Sequence, residues 1–175
     1  MDLSQNHFEL FGLPPCFRLD LARLDSRYRE LQREVHPDRF AAAPPSEQRV
    51  SMQLSTRVNE AYRTLRSPLG RAGYLLQLQG FDPEFETNTA MPAGFLGAQL
   101  EQREALEEAV EAGDARRLAA LLDQLRLQRA SLLARLETEL DARQAWSEAA
   151  GTLRELMFLE KFGEEIADAV EGMET

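Results

Sequence analysis

A chain of 175 residues with 43% hydrophobic side chains is long enough for one average domain or two small ones, and apolar enough to pack a core. Its formal charge of -10 argues against a nucleic-acid partner, and its single cysteine, Cys16, excludes an internal disulfide or a Cys-rich zinc or iron–sulfur site built from this chain alone. No run approaches the roughly 20 apolar residues of a membrane span, and "MDLSQNHFEL" has no basic-then-apolar leader, so no membrane and a reducing, cytoplasmic setting are expected.

Strand formers are sparse, while Leu, Ala, Glu, Arg and Gln dominate, so the fold class is all-α. "HFELFGLPP" reads as a short helix stopped by Gly12 and Pro14–Pro15. Leu21, Leu24, Tyr28, Leu31 and Val35 then form one apolar stripe, with Asp20 as N-cap and Pro37 ending the helix near Val35. "FAAAPPSEQ" is a loop, with Ser46 as the expected N-cap of the next helix. That helix carries Val50, Leu54, Val58, Ala61, Tyr62 and Leu65 on one face, and a break at Pro68 leads to a short helix ending at Gly80. Two long helices joined by a short loop favour an antiparallel hairpin.

Residues 81–92 are rich in Pro, Thr and Asn without periodicity and read as a linker between an N-terminal domain, 1–80, and a three-helix bundle, 93–175. The bundle helices are expected near 93–112, 114–142 and 145–171, with Gly113–Asp114 as stop and cap. Charge divides along the same line. Residues 1–80 hold 11 Lys/Arg and 9 Asp/Glu, a net of +2, whereas residues 81–175 hold 9 and 21, a net of -12. Different electrostatic characters suit different partners, although acidic helices are also simply soluble.

The chemistry-bearing stretch is "REVHPDRF", residues 33–40. Two histidines and one cysteine are a poor supply of metal ligands, no Glu-x-x-His motif is present, and Asp38 has no obvious nucleophile partner close by in sequence. No catalytic site, metal or cofactor is therefore expected. What remains is contact: Pro37 fixes a tight loop, and His36 and Asp38 project from a hairpin tip near Arg27, Arg29, Arg33 and Arg39. A lone His-Pro-Asp is ordinarily just a turn, and on three residues an adaptor with an incidental turn stays open.

The flanks change that weighting. "HFELFGLPP", "YRELQREVHPDRF" and "NEAYRTLRSPLGRAGY", in this order, strongly resemble the J-domain of DnaJ-type co-chaperones over about residues 6–76. "AGYLLQLQGFD", "FLGAQLEQREALEEA" and "LRELMFLEKF" resemble the HscB type, J-proteins dedicated to iron–sulfur cluster assembly. The resemblance implies docking on the DnaK-type chaperone HscA, stimulation of its ATPase, and delivery of the cluster scaffold IscU by the C-terminal bundle. It makes His36, Pro37 and Asp38 the stimulating loop and Arg29 and Arg33 docking charges.

On the first bundle helix, at about 100° per residue, Phe95, Leu106 and Val110 cluster as the expected core face. Leu96 and Leu100 fall outside it, bordered by Glu101, Glu104 and Glu108. They would either pack on a neighbouring helix or form an apolar patch with an acidic rim. The resemblance makes Leu96, Leu100, Glu101, Glu104 and Glu108 the scaffold-binding residues, joined by Phe158, which could equally be a core phenylalanine. Gly97 departs from relatives that carry a bulky apolar residue there. No N-terminal paired-cysteine module of the kind found on some eukaryotic relatives is present, and Lys161 is the sole lysine. Both suit a bacterial source.

Overall fold

In the computed structural model, residues 5–81 and 93–174 are described. The expected linker beyond Phe81 lies outside them. The chain divides into two units, Met1–Leu78 and Gln79–Thr175. Among the described residues all regular structure is helical.

The first unit contains α1 (His7–Phe11), α2 (Leu21–Val35), a 3-10 turn (Pro37–Phe40), α3 (Pro45–Arg66) and α4 (Pro68–Leu78). Local chemistry accounts for most boundaries. Asn6 and Glu9 exchange side-chain and backbone hydrogen bonds of 2.9 and 3.0 Å at the start of α1, and Gly12 ends it at φ 62°. Asp20 accepts the Arg23 N–H at 3.0 Å and caps α2. Ser46 is not the cap of α3. The helix begins at Pro45 with Pro44 in the capping position and no side-chain cap. Proline at the first helical position needs no donor and arrives with a helical φ, so it displaces the serine.

Helices α2 and α3 run antiparallel, because partners ascend along one as they descend along the other. The Tyr62 hydroxyl and Arg66 donate to Asp25, the Tyr28 hydroxyl donates to Asn59 at 2.9 Å, and Ser51 Oγ donates to the Val35 carbonyl at 2.7 Å. The Tyr62 hydrogen bond foremost, with the Arg66 guanidinium, holds the Asp25 carboxyl below the usual range. Leu24, Leu31, Val35, Val58, Ala61 and Leu65 fill the seam with Phe8, Phe11 and Leu76. Two residues assigned by periodicity to these apolar faces are exposed instead, Leu21 in the first turn of α2 and Val50 near the start of α3.

The second unit contains α5 (Ala93–Glu111), α6 (Ala115–Glu137), a π-turn (Thr138–Ala142) and α7 (Trp146–Glu174). Gly113, at φ 61°, and Asp114, which accepts the Arg116 and Arg117 N–H groups, separate α5 from α6. Leu125, Leu159, Phe162 and Ile166 form a buried cluster, with Leu106, Leu121, Leu122 and Leu132 packed against it. Arg129–Glu160 at 2.6 Å and Arg135–Glu155 at 3.1 Å tie α6 to α7.

The inward face of α5 differs from the sequence reading. Phe95 and Leu106 are half-buried and Val110 is exposed. The buried positions are Gln99, Gln102 and Ala109. Phe95, Gln99, Gln102, Leu106 and Ala109 follow a 4-3-4-3 spacing, and the Gln99 amide donates to Gln102 Oε1 at 3.1 Å. Two glutamines that bond each other can be buried where a hydrophobicity rule looks for leucine.

Candidate functional site

Pro37 lacks an N–H, so α2 must end with carbonyls that the helix cannot satisfy. Side chains supply the donors. Arg39 Nη1 donates to the Arg33 carbonyl at 2.9 Å, and Ser51 Oγ donates to that of Val35. The loop turns tightly: the Arg39 N–H donates to the His36 carbonyl at 3.0 Å, and the Asp38 N–H to His36 Nδ1 at 3.2 Å. Farther along, the Gln48 amide of α3 donates to the Ala41 and Ala43 carbonyls at 3.2 and 2.9 Å. The backbone is thus fastened from several directions while the Asp38 side chain stays 91% exposed.

Arg29 and Arg33, one turn apart, are exposed on α2. Gln32, Arg33, His36 and Arg39 line a hollow of about 500 Å³ beside the loop. The other two arginines of the group have internal work. Arg39 holds Arg33 as described, while Arg27 donates to the Phe11 carbonyl at 3.4 Å and pairs with Glu30 at 2.6 Å. Sequence reasoning missed Ser51 and Gln48 as loop anchors. A serine inside an apolar stripe, one helix away from a proline-ended helix, was the available signal.

On α5, Leu96 and Leu100 are 46% and 61% exposed rather than packed against a neighbouring helix. Glu101, Glu104 and Glu108 are exposed alongside, and Glu108 pairs with Arg117 of α6 at 3.3 Å. A Cβ at Gly97 would meet nothing within 4 Å, so that position is open surface. Phe158 of α7 is half-buried at the α5–α7 seam. Its ring meets Phe95 edge-on at 5.8 Å, and the Arg103 guanidinium lies 5.3 Å from its centroid. Arg103 also donates to Glu165 at 2.8 Å. Phe158 therefore belongs in part to the packing of the bundle.

Among the described residues no group of three or more His, Cys, Asp or Glu is placed to hold a metal ion, and no helix is long and apolar enough to cross a membrane.

Comparison with known proteins bears on both sites. The family described as "HSCB C-terminal oligomerisation domain" matches residues 91–167. A protein of Aromatoleum aromaticum named "Co-chaperone protein HscB homolog" is 50% identical over 175 residues, covering 100% of this chain and 99% of its own length. A like-named protein of Burkholderia multivorans is 49% identical, with the same coverage. Among solved structures, "Chaperone HscB from Vibrio cholerae" matches with a TM-score of 0.85 and 36% identity, over 97% of this chain and 99% of that one. Human co-chaperone HscB matches with a TM-score of 0.88 and 31% identity, over 95% of this chain and 83% of that one.

Proposed function

Since the chain belongs to the HscB co-chaperone family, with its J-domain and C-terminal helical bundle, we propose that it stimulates the ATPase of the DnaK-type chaperone HscA and brings it the iron–sulfur scaffold IscU. On this reading the protein is a cytoplasmic adaptor with no active site or cofactor of its own. His36, Pro37 and Asp38 act on the chaperone, and Arg29 and Arg33 help to dock it. The observation that carries the reading is the tip itself, an almost fully exposed aspartate on a backbone fastened by Arg39, Ser51 and Gln48. Rigid backbone under an exposed charge suits recognition, because little ordering remains to be done on binding.

Leu96, Leu100, Glu101, Glu104 and Glu108, with the accessible part of Phe158, form the proposed scaffold surface. Two exposed leucines beside carboxylates suit an apolar contact with a charged rim. Holding both partners on one chain raises the scaffold's effective concentration at the chaperone.

The test is single-turnover ATP hydrolysis by HscA with this protein added. Asp38→Asn should fold normally and lose the stimulation, whereas a wild-type rate would overturn the proposal. Leu96→Ala with Leu100→Ala should weaken IscU binding while shifting the unfolding midpoint little. Buried leucines would instead cost about 2–5 kcal/mol each.

A further inference from the structure

A second hollow, of about 440 Å³, begins where the His-Pro-Asp loop leaves its helices. Val35 and Phe40, the residues that bracket the loop, form one side of it, and Val50 and Leu54 of α3 form the other. Val50 is 50% exposed, an unusual setting for a valine in a helix that packs its neighbours closely. Ser51 also contributes, with its hydroxyl committed to the Val35 carbonyl. The remaining lining is polar, the exposed Ser46 and two carboxylates. Glu34 and Glu47 lie on the groove and are exposed.

We infer that this groove receives an apolar side chain of the ATPase chaperone that engages the loop, carried next to a lysine or arginine. The inference rests on the function proposed above. Continuity and charge select the occupant. A partner that grips the exposed Asp38 meets Phe40, two residues on and half-buried, at the mouth of the groove. Walls that are apolar at Val35, Phe40, Val50 and Leu54 favour an apolar insert. Carboxylates at Glu34 and Glu47 repel an acidic neighbour and attract a basic one. The hollow at Arg33 and Arg39 makes the reverse demand, for acidic groups. The chaperone's footprint must therefore change sign along its length, and the groove fixes the register in which it lands.

The experiment titrates the full-length protein against the chaperone and reads ATP hydrolysis under single-turnover conditions, for wild type, Val50→Glu, Glu47→Lys and Asp38→Asn. Val50→Glu places a third carboxylate in the groove at an exposed helical position, and Glu47→Lys reverses the rim. Circular dichroism checks that each variant folds. The inference expects the concentration for half-maximal stimulation to rise about tenfold in both groove variants, with the maximal rate unchanged, while Asp38→Asn loses the maximum. Groove variants that overlay wild type while Asp38→Asn fails would overturn the groove alone. An Asp38→Asn protein that stimulates normally would overturn the proposed function and the groove with it.

Discussion

The two histidines sit in opposite surroundings. His36 is exposed at the loop tip, where its Nδ1 accepts the Asp38 N–H. His7 is 4% exposed, its ring stacked on Tyr74 at 4.1 Å and its backbone N–H donating to the Tyr74 hydroxyl at 3.0 Å. Burial first, then the Arg57 guanidinium, lowers the His7 pKa, and Glu60 opposes them. The unfolded chain therefore takes up this proton at a higher pH than the folded one. The stabilisation from neutral His7 is complete above the usual histidine value of about 6.5 and is lost as pH falls from there through the lowered folded value. Thermal unfolding between pH 7 and pH 5 should show a midpoint that falls with acid. His7→Phe, which keeps an aromatic ring against Tyr74, should flatten that slope. A slope that survives the substitution would assign the acid sensitivity to other groups.

At the scale of the helices, residues with strong local chemistry were legible in the sequence. Asp20, Gly12, Pro68 and the Gly113–Asp114 pair all sit at helix boundaries, because proline, glycine and a capping carboxylate act within a turn of themselves. Positions decided by tertiary contact were not. Val50 follows the apolar period of α3, yet it is 50% exposed and lines an open hollow. Gln99 and Gln102 are polar yet buried, joined by a single hydrogen bond from the Gln99 amide to Gln102 Oε1, which no single-residue scale registers. The exposure of Leu96 and Leu100 was undecided by spacing alone, since the inward face of α5 was itself misread. The α3–α4 junction makes another demand that only the coordinates reveal. Ser67 Oγ accepts the Gly70 N–H at 3.2 Å, and a Cβ on Gly70 would lie 2.9 Å from the Thr64 carbonyl oxygen. Backbone cannot yield as a side chain does, so the gain in helix propensity from Gly70→Ala should be outweighed. A loss of about 1–3 kcal/mol in unfolding experiments is expected, and a variant as stable as wild type would show that the junction relaxes.

Across the whole molecule the charge asymmetry has a kinetic consequence. Residues 81–175 carry a net of -12, with Glu101, Glu104 and Glu108 exposed beside the two leucines, whereas residues 1–80 carry +2. Long-range attraction to a basic partner is screened by salt over a Debye length of about 8 Å at physiological ionic strength. If the scaffold is the partner proposed above and presents a basic face, its association rate should fall by about tenfold between 0.05 and 0.5 M NaCl, with a smaller change in the dissociation rate. Stopped-flow mixing measures both, and a salt-independent association rate would confine the acidic residues to short-range contact. The fastening of the His-Pro-Asp loop bears on how such a molecule can vary. The side-chain bonds described for that backbone come from residues 36 to 51, namely His36, Arg39, Gln48 and Ser51. On the proposed function, substitutions outside residues 36 to 51 that retune the cargo end leave these bonds in place, so the two specificities can drift apart under separate selection.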